Sequence, residues 1–373
     1  MRYLILALAF AVQTACWGQT TTDIATDLQE ILNKASERED LAGISMAVYA
    51  PGHNINWTGA AGFDSLEKDN ALKAEQPFRI ASVTKSFASA SILRLMEEGK
   101  LNLDDPISKH ISPDHIEILK SDGYDPNAIT IRHCLQHRGG LFDYALAGDA
   151  YINAALENPD KRWTRTEQLQ FAIDHGAPLG DPGKVYGYSD TGYILLGEIV
   201  EKRSGKGLAE AMRSLLDYEG LALEDTWLES LEARGKNKPD VVHRYLETID
   251  ATQWDNSVDL YGGGGLAATC EDLTRFYYGL FNGSVFNRPE TLTTMLEDAG
   301  PAEMKGGPRN YRMGIWEIDL YGHTGYMHSG FWGTYVVHVP DWNTAIAINY
   351  TNNASGTGVL KQTLEILSSV IGE

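Results

Sequence analysis

Apolar residues fall into distinct patterns along this chain, and each pattern predicts a different kind of element. From Asp23 to Glu37 they recur at helical spacing, with Ile24, Leu28, Ile31 and Leu32 on one face, which predicts an amphipathic helix. The next two runs, GISMAVYAPG and INWTGAAG, read as strands joined by a Pro-Gly-His-Asn turn. From Thr84 to Glu98 the chain is rich in Ala, Ser and Leu and meets Gly99, which predicts a long helix with a glycine stop. Residues 148–250 read mostly as helical pieces separated by Gly and Pro, and EDLTRFYYGLF predicts a further helix. In the last third, YRMGIWEIDLYG, GTYVVHVP and TAIAINYT alternate like adjacent antiparallel strands, and a final helix spans about Gly358 to Ile371.

Strands at both ends with helices between them predict an α/β (α+β) fold. One antiparallel sheet is flanked by the terminal helices, and a mostly helical subdomain sits beside it. The sheet lobe is expected over about 23–80 and 285–373 and the helical lobe over about 81–284, with no flexible linker and no internal repeat. The 373 residues are enough for a sizeable buried core.

Charge narrows the partners. Lys and Arg total 31 against 51 Asp and Glu, a formal net charge of -20 that repels phosphate backbones and argues against nucleic acid. The first twenty residues, MRYLILALAFAVQTACWGQT, hold one early Arg, an apolar run from Leu4 to Val12 and then small residues. That layout predicts a secretory signal peptide over 1–18, too short to span a bilayer, with 19–373 as one domain in the periplasm or outside the cell. Lipoprotein processing at Cys16 is the disfavoured alternative, because Gln13 and Thr14 stand where a lipobox prefers an apolar and a small residue. Cys134 and Cys270 read as buried small hydrophobes, with their pairing left open.

Three segments carry candidate chemistry. In FRIASVTKSF, Ser82 precedes Lys85 by three positions where a helix begins, so the two side chains share a face. A serine hydroxyl becomes a useful nucleophile only when a base takes its proton, and a lysine can serve if its surroundings lower its pKa. The plain alternative is a helix cap followed by a surface lysine. In YGYSDTGY, Tyr188 can share the proton transfer and Asp190 can hydrogen-bond the lysine; alternatively Asp190 or Thr191 merely caps a helix. In HSGFWGTYVVHVP, Gly330 lets a substrate approach the strand edge, His328 can face the nucleophile, and the Phe331 amide can join the Ser82 amide as an oxyanion hole. The alternative there is a hairpin with a satisfied histidine.

Taken in order, S-x-x-K, Y-x-D and H-x-G resemble the motif set of serine β-lactamases and penicillin-binding proteins. The chain is most similar to the class C β-lactamase, D,D-peptidase and esterase branch, whose second motif begins with Tyr. ITIRHCLQHRGGLFDY, GLALEDTWL and YGGGGLAATCEDLTRFYYGLFNG extend the resemblance over about residues 25–370. It implies the β-lactamase/transpeptidase-like fold and a catalytic set of Ser82, Lys85, Tyr188 and His328. Asp190, Ser329, Gly330 and Phe331 are implied on the substrate side. The implied reaction is an acyl-enzyme on Ser82 that cleaves amide, peptide or ester bonds, with no metal or organic cofactor. The implied partner is a small-molecule or peptide substrate, cell-wall-derived peptides included; oligomeric state stays open. The alternatives are a class C-like β-lactamase and a non-catalytic binder of cell-wall peptides.

Several positions depart from that pattern. His328 stands where β-lactamases carry a Lys that holds a substrate carboxylate, and Asp190 stands where they carry Asn. An ionised Asp190 is expected to disfavour anionic acyl groups and to favour a substrate amine. The segment holds a second H-x-G, His323-Thr324-Gly325; His328 is preferred because FWGTYVVHVP follows it directly. Arg138 and Gly139 replace the more usual Thr and Ser, with no role assigned by sequence. His133 and His137 are four apart but lack a third metal ligand, and the Gly262–Gly265 run lacks a phosphate-binding lysine, so it reads as tight packing.

Overall fold

A computed structural model describes residues 21–145, 149–235, 238–352 and 358–371, so the expected signal peptide and Cys16 lie outside the described residues. A six-stranded antiparallel sheet organises the chain. Its strands lie side by side in the order Trp316–Leu320, His323–Gly330, Thr334–Val339, Thr344–Tyr350, Gly43–Ala50, Ile55–Gly62. The two ends of the sequence meet at its centre, where Met46 pairs with Ile348 and Ala47 with Ala347.

Both central strands are buried along nearly their whole length because helices cover both faces. On one face, Thr21–Ser36 and Val359–Ile371 bring Leu28, Leu32 and Leu367 onto Ile44, Met46, Val48 and Ile346. On the other face the sheet shows small side chains, Ala47, Ala345 and Ala347, and the helix Cys270–Asn282 packs there through Leu273, Phe276 and Leu280. The expected lobes put this helix in the helical half; its apolar face instead belongs to the sheet core.

Two other expectations change at the sheet's outer edge. The strand expected across 311–322 is only Trp316–Leu320, since Gly314 turns the chain at φ +80° and Tyr311 makes a single bridge to Trp316. His323–Gly330 is a full eight-residue strand carrying both H-x-G motifs. FWG is the turn after it, with the Gly333 amide bonded to the Gly330 carbonyl at 3.1 Å, and TYVVHV is the next strand. His328 therefore lies near the end of its strand rather than opening one.

The helix Thr84–Glu97 is the axis of the helical half. All of it except Arg94 and Met96 is buried, which explains a sequence of Ala, Ser and Leu with no polar stripe. Its buried hydroxyls are satisfied: Ser86 meets the Tyr277 hydroxyl at 2.8 Å and the Gly314 carbonyl at 2.6 Å, and Ser89 meets Tyr193 at 3.1 Å. Cys134 and Cys270 are free, buried thiols, each pushed up to about 12 by burial.

Candidate active site

Ser82 sits in a single 3-10 turn, Ala81–Val83, immediately before the helix Thr84–Glu97. The chain reaches that turn through a short strand, Phe78–Arg79, which pairs with Leu266–Ala268. The Ile80 amide then bonds the Leu266 carbonyl at 3.0 Å, and Thr84 Oγ1 accepts the Leu266 amide at 3.2 Å. Between these anchors Ala81 takes φ +44°, a conformation an alanine adopts only when its surroundings impose it. The sharp turn leaves Ser82 half-buried while its neighbours Ala81 and Val83 are buried. The end of the strand His323–Gly330 packs against this turn so closely that a Cβ on Gly330 would lie 2.2 Å from the Ile80 carbonyl oxygen. Only glycine fits there.

Lys85 has no exposed surface. Its Nζ donates to Ser82 Oγ at 2.8 Å and to the Gly263 carbonyl at 2.7 Å, and it forms an ion pair with Asp190. Three N–H groups thus face three acceptors. Asp190 begins the helix Asp190–Ser204, and its amide bonds Asp143 Oδ1 at 3.1 Å. Burial, and then the neighbouring Asp190, raise the Asp143 carboxyl well above the usual range. The Tyr188 hydroxyl hydrogen-bonds Ser82, and burial followed by the Asp190 charge push that phenol well above its ordinary value. Tyr188 is therefore a neutral phenol near neutral pH.

His328 departs from expectation. It is fully buried, and neither ring nitrogen turns to Ser82. Nδ1 donates to the Ser329 carbonyl at 2.8 Å, so Nε2 accepts from the Tyr311 hydroxyl at 3.1 Å. The ring stacks on Trp316 at 4.4 Å, and burial and then the Lys85 charge lower it to about 3. It is an uncharged prop for Tyr311, not a group facing the nucleophile. His137 is the imidazole beside the site. Its Nδ1 accepts the Ser189 amide at 3.1 Å, and its ring lies 4.1 Å from that of Tyr188 and 4.4 Å from that of Tyr311. Burial holds it well below its ordinary value and thus neutral. His133, four residues earlier, caps its own short helix through Thr130, so the two histidines serve different tasks.

Arg138 finds a role that sequence did not supply: it donates to the carbonyls of Gly300 and Pro301 and ties that segment to the site's rim. The Gly262–Gly265 run is demanded by contact. A Cβ on Gly262 would meet the Tyr193 carbonyl oxygen at 2.6 Å, and one on Gly264 would meet Asp259 Oδ1 at 1.9 Å.

Ser82, Tyr188 and Asp190 open onto a cavity of about 150 Å³. Tyr144, Tyr151, Trp254, Trp332 and Phe331 form much of the rest of its lining, with Asp259 among them. Phe331, half-exposed, stands at the rim. Pairing of the site strand with Trp316–Leu320 stops at Met327, so Ser329 and Gly330 form an edge beside the cavity. Sequence reasoning gave no role in the site to Asp143, Tyr311 or Asp259 and weighed His137 only as a metal ligand, although His137 and Asp143 lie in the ITIRHCLQHRGGLFDY segment that carries part of the resemblance.

Comparison with known proteins agrees with this fold. The family model described as Beta-lactamase matches residues 28–368. Esterase EstB of Burkholderia gladioli is 29% identical over 227 residues, 60% of this chain, and the match spans 56% of the esterase's own length. Penicillin-binding protein 4* of Bacillus subtilis is 22% identical over 326 residues, covering 83% of this chain and 67% of that protein. Among solved structures, D-amino acid amidase from Ochrobactrum anthropi SV3, complexed with D-phenylalanine, superposes with a TM-score of 0.77 at 22% identity, covering 93% of this chain and 99% of the amidase. At that identity the superposition establishes the fold.

Proposed function

This chain belongs to the beta-lactamase family, and we propose that it is a serine hydrolase that forms an acyl-enzyme on Ser82 and cleaves amide, peptide or ester bonds. The observation that carries this is the 2.8 Å contact between a completely buried Lys85 and Ser82 Oγ, at a turn held in place from both sides. The relatives named above, an esterase, a penicillin-binding protein and an amidase, support the same class.

The proton path follows from charge state. In this arrangement Lys85 donates to all its partners and has no lone pair free, so it steadies Ser82 Oγ and the charge that develops there. Tyr188, a neutral phenol, acts as a relay: as Oγ bonds the carbonyl carbon, the Ser82 proton passes to the phenol oxygen while the phenol's own proton passes to the leaving-group atom, so the phenol never holds two protons. The tetrahedral oxyanion then collapses and the carbonyl carbon's bond to the protonated leaving group breaks. The tetrahedral oxyanion is stabilised by the amides of Ser82 and Phe331. Water then attacks the ester, its proton passing to Tyr188 as the phenol passes its own proton to the departing Ser82 Oγ. No step needs a metal or an organic cofactor. His137, bonded to the Ser189 amide and packed on the Tyr188 ring, positions the phenol.

A β-lactamase reading is weaker because His328, buried and uncharged, offers no cation to a substrate carboxylate. The amino-terminal segment supports secretion to the periplasm or beyond as a further proposal. The test is turnover of a panel of p-nitrophenyl esters and anilides by the mature protein beside Ser82→Ala. Turnover that the variant lacks is expected; a variant as active as the parent overturns the assignment.

A further inference from the structure

The cavity holds one carboxylate for which the hydrolytic steps have no use. Asp259 closes the short turn Asn256–Asp259 and lines the cavity together with Ser82, Tyr188 and Asp190. Asp190 is already neutralised by Lys85, so the amine preference expected of it from sequence finds no free charge there. Asp259 differs. Among the described residues it forms no ion pair and its carboxylate accepts no hydrogen bond; burial first, and then the Asp190 charge, raise it to about 6, while Lys85 and Arg244 act on it only at a distance. Arg244 is committed elsewhere, donating to the carbonyls of Ala251 at 2.8 Å and Trp254 at 3.1 Å and lying 4.9 Å over the Trp332 ring.

The packing fixes this carboxylate in place. Gly264 is pressed against it, with room for no side chain, and the residue keeps part of its surface open to the cavity. Around it the wall is aromatic, with Tyr144, Tyr151, Trp254 and Trp332. A carboxylate with no counter-charge of its own beside π-faces, in a small cavity, complements an ammonium group attached to an apolar body. It repels a carboxylate in the same place.

We propose that Asp259 is the specificity-determining residue of this site: it binds an ammonium group carried close to the scissile carbonyl, so that the preferred substrates are amides and esters of amino acids with apolar side chains. This rests on the serine hydrolase reading and sharpens it by naming the substrate class.

The test is a ratio. The mature protein is given phenylalanine methyl ester, in each enantiomer, and methyl 3-phenylpropionate, which lacks only the amine, and the ratio of their kcat/KM values is compared with that of Asp259→Asn. For at least one enantiomer the ratio is expected to fall about tenfold or more in the variant, the scale of one charge-assisted contact. An unchanged ratio for both enantiomers overturns the proposal. If the variant does not fold, the parent protein decides: phenethylamine is expected to slow labelling of Ser82 by a fluorophosphonate, and 3-phenylpropionate is not. Equal protection by both, or protection by the acid alone, overturns it. Turnover of esters without amine preference refutes only this inference. An unlabelled Ser82 with no ester turnover refutes the hydrolase reading and this one with it.

Discussion

Lys85 Nζ reaches Ser82 Oγ at 2.8 Å from one helical turn away, and it does so from a position with no exposed surface. A buried ammonium is tolerable only where acceptors surround it. The Gly263 carbonyl and the Asp190 carboxylate complete that shell. Ser82, Lys85 and Asp190 are thus one electrostatic unit, built from the start of one helix, the start of another and a glycine-rich turn.

Lys85→Met should break that unit in two measurable ways. Activity toward p-nitrophenyl esters is expected to fall by about 10²–10⁴-fold, the usual scale for a group that manages a reacting proton or charge. Stability to denaturant should fall by about 3–5 kcal/mol, because Asp190 is left buried and unpaired. Adding Asp190→Asn is expected to restore much of the stability and none of the activity. A double variant no more stable than the single one contradicts this.

Gly330→Ala tests the fit between the site strand and the nucleophile turn. The added methyl would lie 2.2 Å from the Ile80 carbonyl oxygen, so strand and turn must part. A loss of about 1–3 kcal/mol in denaturant unfolding is expected, the scale of overpacking, with at least a tenfold loss in ester turnover from displaced Ser82 and Phe331 amides. Gly330→Ala with parental kinetics would show that the two segments are not coupled.

His137 is expected to act through Tyr188 rather than on substrate. His137→Leu leaves the Ser189 amide buried without an acceptor, a cost of about 1–3 kcal/mol. His137→Asn keeps an acceptor oxygen, and Asn tolerates the φ of +55° found here. Thermal unfolding should therefore rank parent, Asn, Leu. The Leu variant should lose kcat with little change in KM, because a misaligned phenol transfers protons poorly but does not hold substrate. A change confined to KM contradicts the positioning role.

Asp143 gives stability a pH dependence whose sign can be worked out. Burial first, and then the Asp190 charge, raise its folded-state pKa above the ordinary 3.8. Above that ordinary value the unfolded chain releases a proton that the folded chain keeps. Unfolding is therefore favoured progressively as pH rises, until the raised pKa is passed. Asp143→Asn keeps the acceptor for the Asp190 amide and removes the titration. The variant's Tm relative to the parent is expected to improve steadily from about pH 4 to about pH 8. Parallel curves would show that Asp143 is not held protonated.

Much of this site was legible in the sequence because its spacing is local. Ser82 and Lys85 share a helix face three positions apart, and the Ala- and Ser-rich run after them announced a long helix, whose burial on nearly all sides only the structure shows. Gly330 was marked as a close-approach point, and the carbonyl of Ile80 is what approaches it. The rest depends on contacts across long stretches of chain. His328 looked as though it faced the nucleophile, because nothing in the sequence brings Tyr311 and Trp316 around its ring. Asp190 was expected both to bond the lysine and to favour a substrate amine; the ion pair with Lys85 meets the first expectation and leaves no free charge for the second, while Asp259, which lines the same cavity, drew no reading from sequence. Helix Cys270–Asn282 was legible as a helix, but its place on the sheet depends on the alanines of strands more than sixty residues away at either end of the chain.

The central claim is that Ser82 is the nucleophile. The mature protein should be incubated with a fluorophosphonate, its intact mass recorded and the adduct located by peptide mapping, with Ser82→Ala and Lys85→Met beside it. One adduct on Ser82, absent in Ser82→Ala and much slower in Lys85→Met, is the expected result. An adduct on another serine, or an unmodified parent protein that still turns over esters, would contradict the account.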